Sequence, residues 1–145
     1  MNREIEFRGF DGTKWYYGDL EYNKKTDVAR IHTYKEDGSY CRQYTVDPDT
    51  VGQFTGMTGM YGKKVFEGDI VRRKDSAFGY VDTGVVKYDC HLGAFVLEYE
   101  DYGRTYQSTF KKGFSDNDGK CTIEGIYSYE VIGNIYDNKE LLSKK

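Results

Sequence analysis

Nowhere in this chain do apolar residues recur at helical spacing over three turns; they alternate with polar residues in short runs punctuated by glycine. Period-two alternation is the signature of strands with one buried face. Glu4-Ile5-Glu6-Phe7-Arg8 alternates in this way, as does Ala29-Arg30-Ile31-His32-Thr33-Tyr34. Asp11-Gly12 and Asp37-Gly38 are hairpin turn signals, because Gly takes the positive φ that tight turns require. Trp15-Tyr16-Tyr17 and Leu20 are read as the return strand of the first hairpin, and Tyr40 to Val46 as the return strand of the second. There is one proline against 17 glycines, and 15 tyrosines. Tyr and Phe favour pleated, half-buried surfaces, so the composition points the same way.

The middle of the chain is a string of turns. Pro48 fixes its own φ and biases Asp47 towards extended geometry, making Asp47-Pro48-Asp49-Thr50 a turn. Gly52, Gly56, Gly59 and Gly62 then exclude a helix. Val65-Phe66 and Ile70-Val71 flank Glu67-Gly68-Asp69 as β-formers, and Gly68 is placed where a tight strand entry needs positive φ. Beyond it, strands are expected over Thr83–Asp89, Ala94–Tyr99, Thr105–Phe110 and Val131–Tyr136, with a turn at Asp101-Tyr102-Gly103-Arg104 and a polar loop at Asp116-Asn117-Asp118-Gly119. Asn138 is positioned to cap a short helix through Glu140-Leu141-Leu142. The expected fold is therefore mainly β, with short antiparallel strands in one or two small barrel-like sheets. The second half matches the strand order of SH3-like barrels. The expected organisation is an N-terminal β half at 1–56 and a C-terminal β half at 57–137, or one continuous domain over 1–137, with a short helical or frayed tail at 138–145.

One pattern repeats. Gly12-x-Lys14-Trp15-Tyr16-x-Gly18-Asp19-Leu20 matches Gly62-x-Lys64-Val65-Phe66-x-Gly68-Asp69-Ile70 at an offset of 50. Duplication of one hairpin and convergence on common turn chemistry both produce it.

Charge and cysteine usage narrow the function. The net charge is −3, from 21 basic and 24 acidic residues of interspersed sign, which does not attract nucleic acid by bulk electrostatics. No apolar run approaches the ~20 residues of a membrane helix. Cys41, Cys90 and Cys121 are odd in number and widely spaced, so free thiols in a reducing cytoplasm are expected.

No catalytic constellation stands out, and no cofactor is expected. The Asp89-Cys90-His91 cluster lacks the second pair that a zinc site needs, and on a strand Cys90 and His91 would face opposite ways. Asp116-Asn117-Asp118-Gly119 has its glycine too early for an EF-hand loop. Glu67 and Asp69 are the best carboxylate pair, but an Asp in a Gly-Asp turn ordinarily caps its own backbone. Phosphate-loop and nucleophile-elbow patterns are absent. Trp15, Tyr16, Tyr17, Tyr88, Tyr99 and Tyr102, with the basic run Arg72-Arg73-Lys74, offer a stacking platform for single-stranded nucleic acid. Strand packing and an oligomer interface account for the same aromatics, and the acidic balance favours that account.

Three ordered runs carry a resemblance: Val46-Asp47-Pro48-Asp49-Thr50-Val51-Gly52-Gln53-Phe54-Thr55-Gly56, Phe66-Glu67-Gly68-Asp69-Ile70-Val71, and Glu130-Val131-Ile132-Gly133-Asn134-Ile135-Tyr136-Asp137-Asn138. Together they resemble the YopX family, small proteins of bacteriophages and prophages, over nearly the whole chain. Met57-Thr58-Gly59-Met60-Tyr61 stands where the family usually carries a polar Asp-Lys pair. The resemblance implies a phage accessory protein and no particular activity. The functional expectation is a non-enzymatic module that binds another phage or host protein, or itself as a homo-oligomer. Its alternative is a nucleic-acid-binding protein of phage DNA metabolism anchored on Arg72, Arg73 and Lys74 with Trp15 and Tyr17. A weaker third reading is a small hydrolase using Glu67 and Asp69. Gly52, Phe54, Gly56, Glu67, Gly68, Asp69, Gly133 and Asn134 are expected to serve the fold.

Overall fold

A computed structural model of the chain describes residues 3–75, 78–110 and 127–143. The chain divides into two compact units, Met1–Gly56 and Met57–Lys145. Both are built of antiparallel sheet, and the only helical pieces among the described residues are three short 3₁₀ turns. The Asp116–Gly119 loop and Cys121 lie outside the described residues.

Unit 1 holds β1 (Phe7–Phe10), β2 (Trp15–Asn23), β3 (Val28–Tyr34), β4 (Tyr40–Val46) and the first part of β5 (Gly52–Thr58), in the spatial order β4-β3-β2-β1-β5. The first strand starts later than its alternation suggests: Glu4 to Glu6 are outside the regular ladder, although the Glu6 carbonyl accepts from Phe54 N–H at 2.8 Å. Both Asp-Gly hairpins form, closed by carboxylate-to-backbone bonds. Asp11 Oδ1 accepts from Thr13 and Lys14 N–H, and Asp37 Oδ1 accepts from Ser39 N–H and Oγ. Register follows the alternation. Leu20 faces Ile31, and Ala29 faces Val46, so the apolar members meet on one face. Ala29, Ile31 and Val46 form the buried cluster, flanked by Phe7, Tyr16, Leu20 and Val51.

Unit 2 takes the end of β5, then β6 (Lys64–Phe66), β7 (Asp69–Asp75), β8 (Val81–Asp89), β9 (Ala94–Asp101), β10 (Arg104–Thr109) and β11 (Tyr127–Asn134). Its sheet runs β10-β9-β8-β7-β11. Val71, Val86, Leu97 and Tyr129 bury one face with Val65, and Met57, Phe110, Tyr127 and Val131 pack around them. The β9–β10 connection is a two-residue turn with Tyr102 at φ 50° and Gly103 at φ 73°, the paired positive φ of the tightest hairpins.

Two expectations are corrected, and one left open is narrowed. Among the described residues the sheets are open, with separate edge strands, so neither half closes into a barrel. The tail forms a short 3₁₀ helix, Lys139–Leu142, but the Asn138 side chain does not cap it and instead accepts from Asn134 N–H. The offset-50 repeat does not fold as one hairpin twice. Gly18 lies inside the unbroken strand β2, where a side chain would collide with the His32 carbonyl. Its counterpart Gly68 sits at φ +86° in the turn between β6 and β7.

Candidate functional site

The three runs singled out in the sequence resolve into two local constructions. In unit 1, Pro48–Thr50 forms a 3₁₀ turn with Pro at its start and Asp47 as N-cap, whose Oδ1 accepts from Asp49 N–H at 3.0 Å. Thr50 is buried, and its hydroxyl ties this turn to the end of β1. It accepts from Phe10 N–H at 2.9 Å and donates to the Asp47 carbonyl at 2.7 Å. Asp47 N–H donates to the Phe10 carbonyl. The chain then enters β5 with Gly52 opposite Arg8 of β1. Phe54 is buried two residues on, and Gly56 turns the strand at φ +86°.

In unit 2 the other two runs lie side by side. On the β7–β11 ladder Asp69 is opposite Asn134 and Ile70 opposite Gly133, with a register shift between Val131 and Gly133. Glu67 and Gly68 form the turn into β7. Gly68 N–H donates to the Val86 carbonyl and its carbonyl accepts from Ile135 N–H, both at 2.9 Å, so one residue joins two other segments. Asp69 is almost wholly buried, and its Oδ2 accepts from Phe66 N–H at 2.8 Å across the turn. Asn134 Oδ1 accepts from Tyr136 and Asp137 N–H. Asn138 Oδ1 sits so close to Gly133 that a Cβ there would come within 2.5 Å of it. Glu67 and Asp69 therefore do not present two free carboxylates to a cleft: the Asp69 carboxylate is engaged inside the turn.

The basic run is split by the pleat. Arg72 and Lys74 are exposed, while Arg73 points to the buried face. Arg73 donates to Asp82 Oδ2 at 2.7 Å and to Ser108 Oγ at 2.9 Å. Its guanidinium lies 4.8 Å from the Tyr99 ring centre and 5.0 Å from that of Tyr127. Burial by itself would lower its pKa, but the hydrogen bonds it donates to Asp82 and Tyr99, with the charge attraction, outweigh that and leave it raised. Arg72 has Glu130 at 3.8 Å. Trp15 and Tyr17 belong to unit 1. Trp15 receives the Arg8 guanidinium at 4.8 Å and packs on Phe10, while Tyr17 is exposed. The expected three-cation platform is thus two surface cations and one internal one.

Cys90 and His91 lie in the turn after β8, where strand alternation does not apply, and Cys90 Sγ approaches His91 Nδ1 at 3.7 Å. Asp89 Oδ1 lies 3.6 Å from the same Nδ1. A thiol–imidazole–carboxylate relay uses both ring nitrogens, and here both neighbours meet one. Among the described residues no group of three or more His, Cys, Asp or Glu is placed to hold a metal ion. An open groove of about 520 Å³ in unit 2 is lined by Val85, Lys87, Glu98, Tyr102, Leu141 and Leu142 among others. Its cation is already engaged, since Lys87 Nζ donates to Glu98 Oε1 at 2.6 Å and holds that carboxyl below its ordinary pKa. No helix among the described residues is long and apolar enough to cross a membrane.

What residue-by-residue reading missed is a row across the unit 2 sheet: Tyr127, Arg73, Tyr99, Tyr106. Tyr106 is opposite Tyr99 on the ladder and stacks on it, centroids 5.7 Å apart at 22°. Tyr99 and Tyr106 share a face only through the β9–β10 register, which the tight Tyr102-Gly103 turn sets.

These features define a class: an all-β protein of two open antiparallel units whose marked motifs are turn and ladder chemistry. The chain belongs to the YopX family, whose model, described as YopX protein, matches residues 6–143. A search of curated proteins found no match.

Proposed function

We propose that this protein is a non-enzymatic accessory protein of a bacteriophage or prophage, acting in the host cytoplasm by binding proteins, itself included. The supporting observation is where its distinctive side chains point. Thr50, Asp69, Asn134 and Asn138 are engaged in closing turns, whereas Tyr17, Tyr34, Tyr40, Tyr102 and Tyr106 face solvent. Exposed tyrosine is the side chain that protein interfaces favour, since its large ring contributes contact area at low entropic cost. The test is a pull-down with tagged protein from prophage-carrying cells, run beside a broad substrate screen. A reproducible protein partner supports the reading, and turnover of any substrate overturns it. Arg72 and Lys74, which share the exposed face of β7, are the residues a nucleic-acid function would use. A salt-sensitive shift of single-stranded DNA, lost in the Arg72→Gln/Lys74→Gln double variant, would replace the protein-binding reading with that one.

A further inference from the structure

We propose that β10 is a self-association edge, where a second copy of the chain adds its own β10 antiparallel about a two-fold axis through Tyr106. This rests on the self-binding half of the reading above and gives it an address.

β10 ends the unit 2 sheet among the described residues. Its six residues, Arg104 to Thr109, pair with β9 without a register break, presenting a straight edge of about 20 Å. Natural edge strands are ordinarily blunted by a bulge, a proline, a lysine or an inward charge. β10 has none of these devices, and its single charge is Arg104 at one end. The β4 edge of unit 1 is different. Thr33 pairs with Arg42 but Tyr34 pairs with Tyr40, so Cys41 bulges out, and Thr33 Oγ1 takes the Arg42 carbonyl. Among the described residues the β4 edge is broken by a bulge and the β10 edge is not.

Self-complementarity selects the partner. A two-fold axis normal to a continuous sheet keeps every residue on its own face, so a residue can meet only residues of its own parity. Two registers pair most of the strand, one centred on Tyr106 and one on Gln107. The first continues a structure already present. Tyr127, Arg73, Tyr99 and Tyr106 form a stacked row that runs out to the edge and stops at a Tyr106 that is 41% exposed. Arg73 reaches Tyr99 past β8 at Gly84, which lies opposite Tyr99 and has no side chain to obstruct it. Centring on Tyr106 places that ring against its symmetry mate and extends the row into the second copy. In this register Arg104 falls opposite Ser108, so no like charges meet.

The test is light scattering on the full chain, with cross-linking to fix the register. Wild type is expected to have at least twice the monomer mass at micromolar concentration. Tyr106→Lys is expected to reduce that mass by half or more with an unchanged far-UV spectrum, while Gln43→Lys on the β4 edge leaves it intact. In a Cys41→Ser/Cys90→Ser/Cys121→Ser background, Tyr106→Cys is expected to form an inter-chain disulfide on mild oxidation. Tyr102→Cys, which is more exposed, should not, because its copies would lie eight residue steps or about 26 Å apart. A monomeric wild type, a mass insensitive to Tyr106→Lys, or equal cross-linking of the two cysteine variants would overturn the assignment. A partner captured by a monomer would overturn it while leaving the protein-binding function standing.

Discussion

At the scale of single residues, the glycines of the two unit 2 motifs are required for different reasons. Gly68 occupies φ +86°, where a Cβ is strained. Gly68→Ala should cost about 1 kcal/mol or more, read as a fall in Tm of roughly 3–5 °C with the partner list unchanged. Gly133 is required by contact, since its Cα lies under the Asn138 side chain, and Gly133→Ala should loosen the 134–138 turn. Arg73 is the residue whose role the sequence most concealed. Its exposed neighbours make the run look like one patch, yet its guanidinium is bonded to Asp82 and sandwiched by two tyrosines. Arg73→Ala should destabilise by about 2–3 kcal/mol, below the range for a fully buried pair because Asp82 keeps some solvent. Equilibrium denaturation measures it, and a change under 0.5 kcal/mol would show that the sandwich contributes nothing.

Among elements, the Pro48–Thr50 turn shows how a local motif becomes a long-range tie. Thr50 Oγ1 serves Phe10 N–H forty residues away. Thr50→Val keeps the shape but leaves that part-buried donor without its acceptor, a loss of roughly 1–3 kcal/mol. Hydrogen exchange should then speed at Phe10 and neighbouring β1 amides, and slow exchange there would contradict the tie. The β8–β9 turn teaches the opposite lesson. On a strand Cys90 and His91 would face opposite ways, but alternation ends where the strand ends. One residue beyond Asp89, the two side chains turn back towards each other.

For the whole molecule, stability should be flat near neutral pH and fall at both extremes. Lys14 and Thr13 N–H groups hold Asp11 below its ordinary pKa, the Ser39 hydroxyl and N–H do so for Asp37, and the Lys87 ammonium and Gln107 do so for Glu98. A lowered folded pKa means stabilisation present above the unfolded value of about 4 and lost as pH falls through the folded one. Tyr22 and Tyr34 are raised by their bonds to Asp27 and Asp19, and Tyr16 by burial. A raised phenol keeps its contribution below about pH 10 and loses it as pH rises. Unfolding free energy measured from pH 2 to 11 should therefore form a plateau. Lys87→Met should shallow its acid slope.

The sequence by itself determined the strand content, the Asp-Gly hairpins, the Pro48 turn and the need for glycine at position 68. Each is a matter of local backbone sterics and period-two alternation, and neighbours along the chain suffice to set it. Only the tertiary structure decided that the sheets stay open, that Arg73 turns inward between Tyr99 and Tyr127, and that Asp69 and Asn134 stand side by side. Those depend on the pairing and register of strands distant in sequence, and a register is fixed by which faces are buried together rather than by any one run of residues.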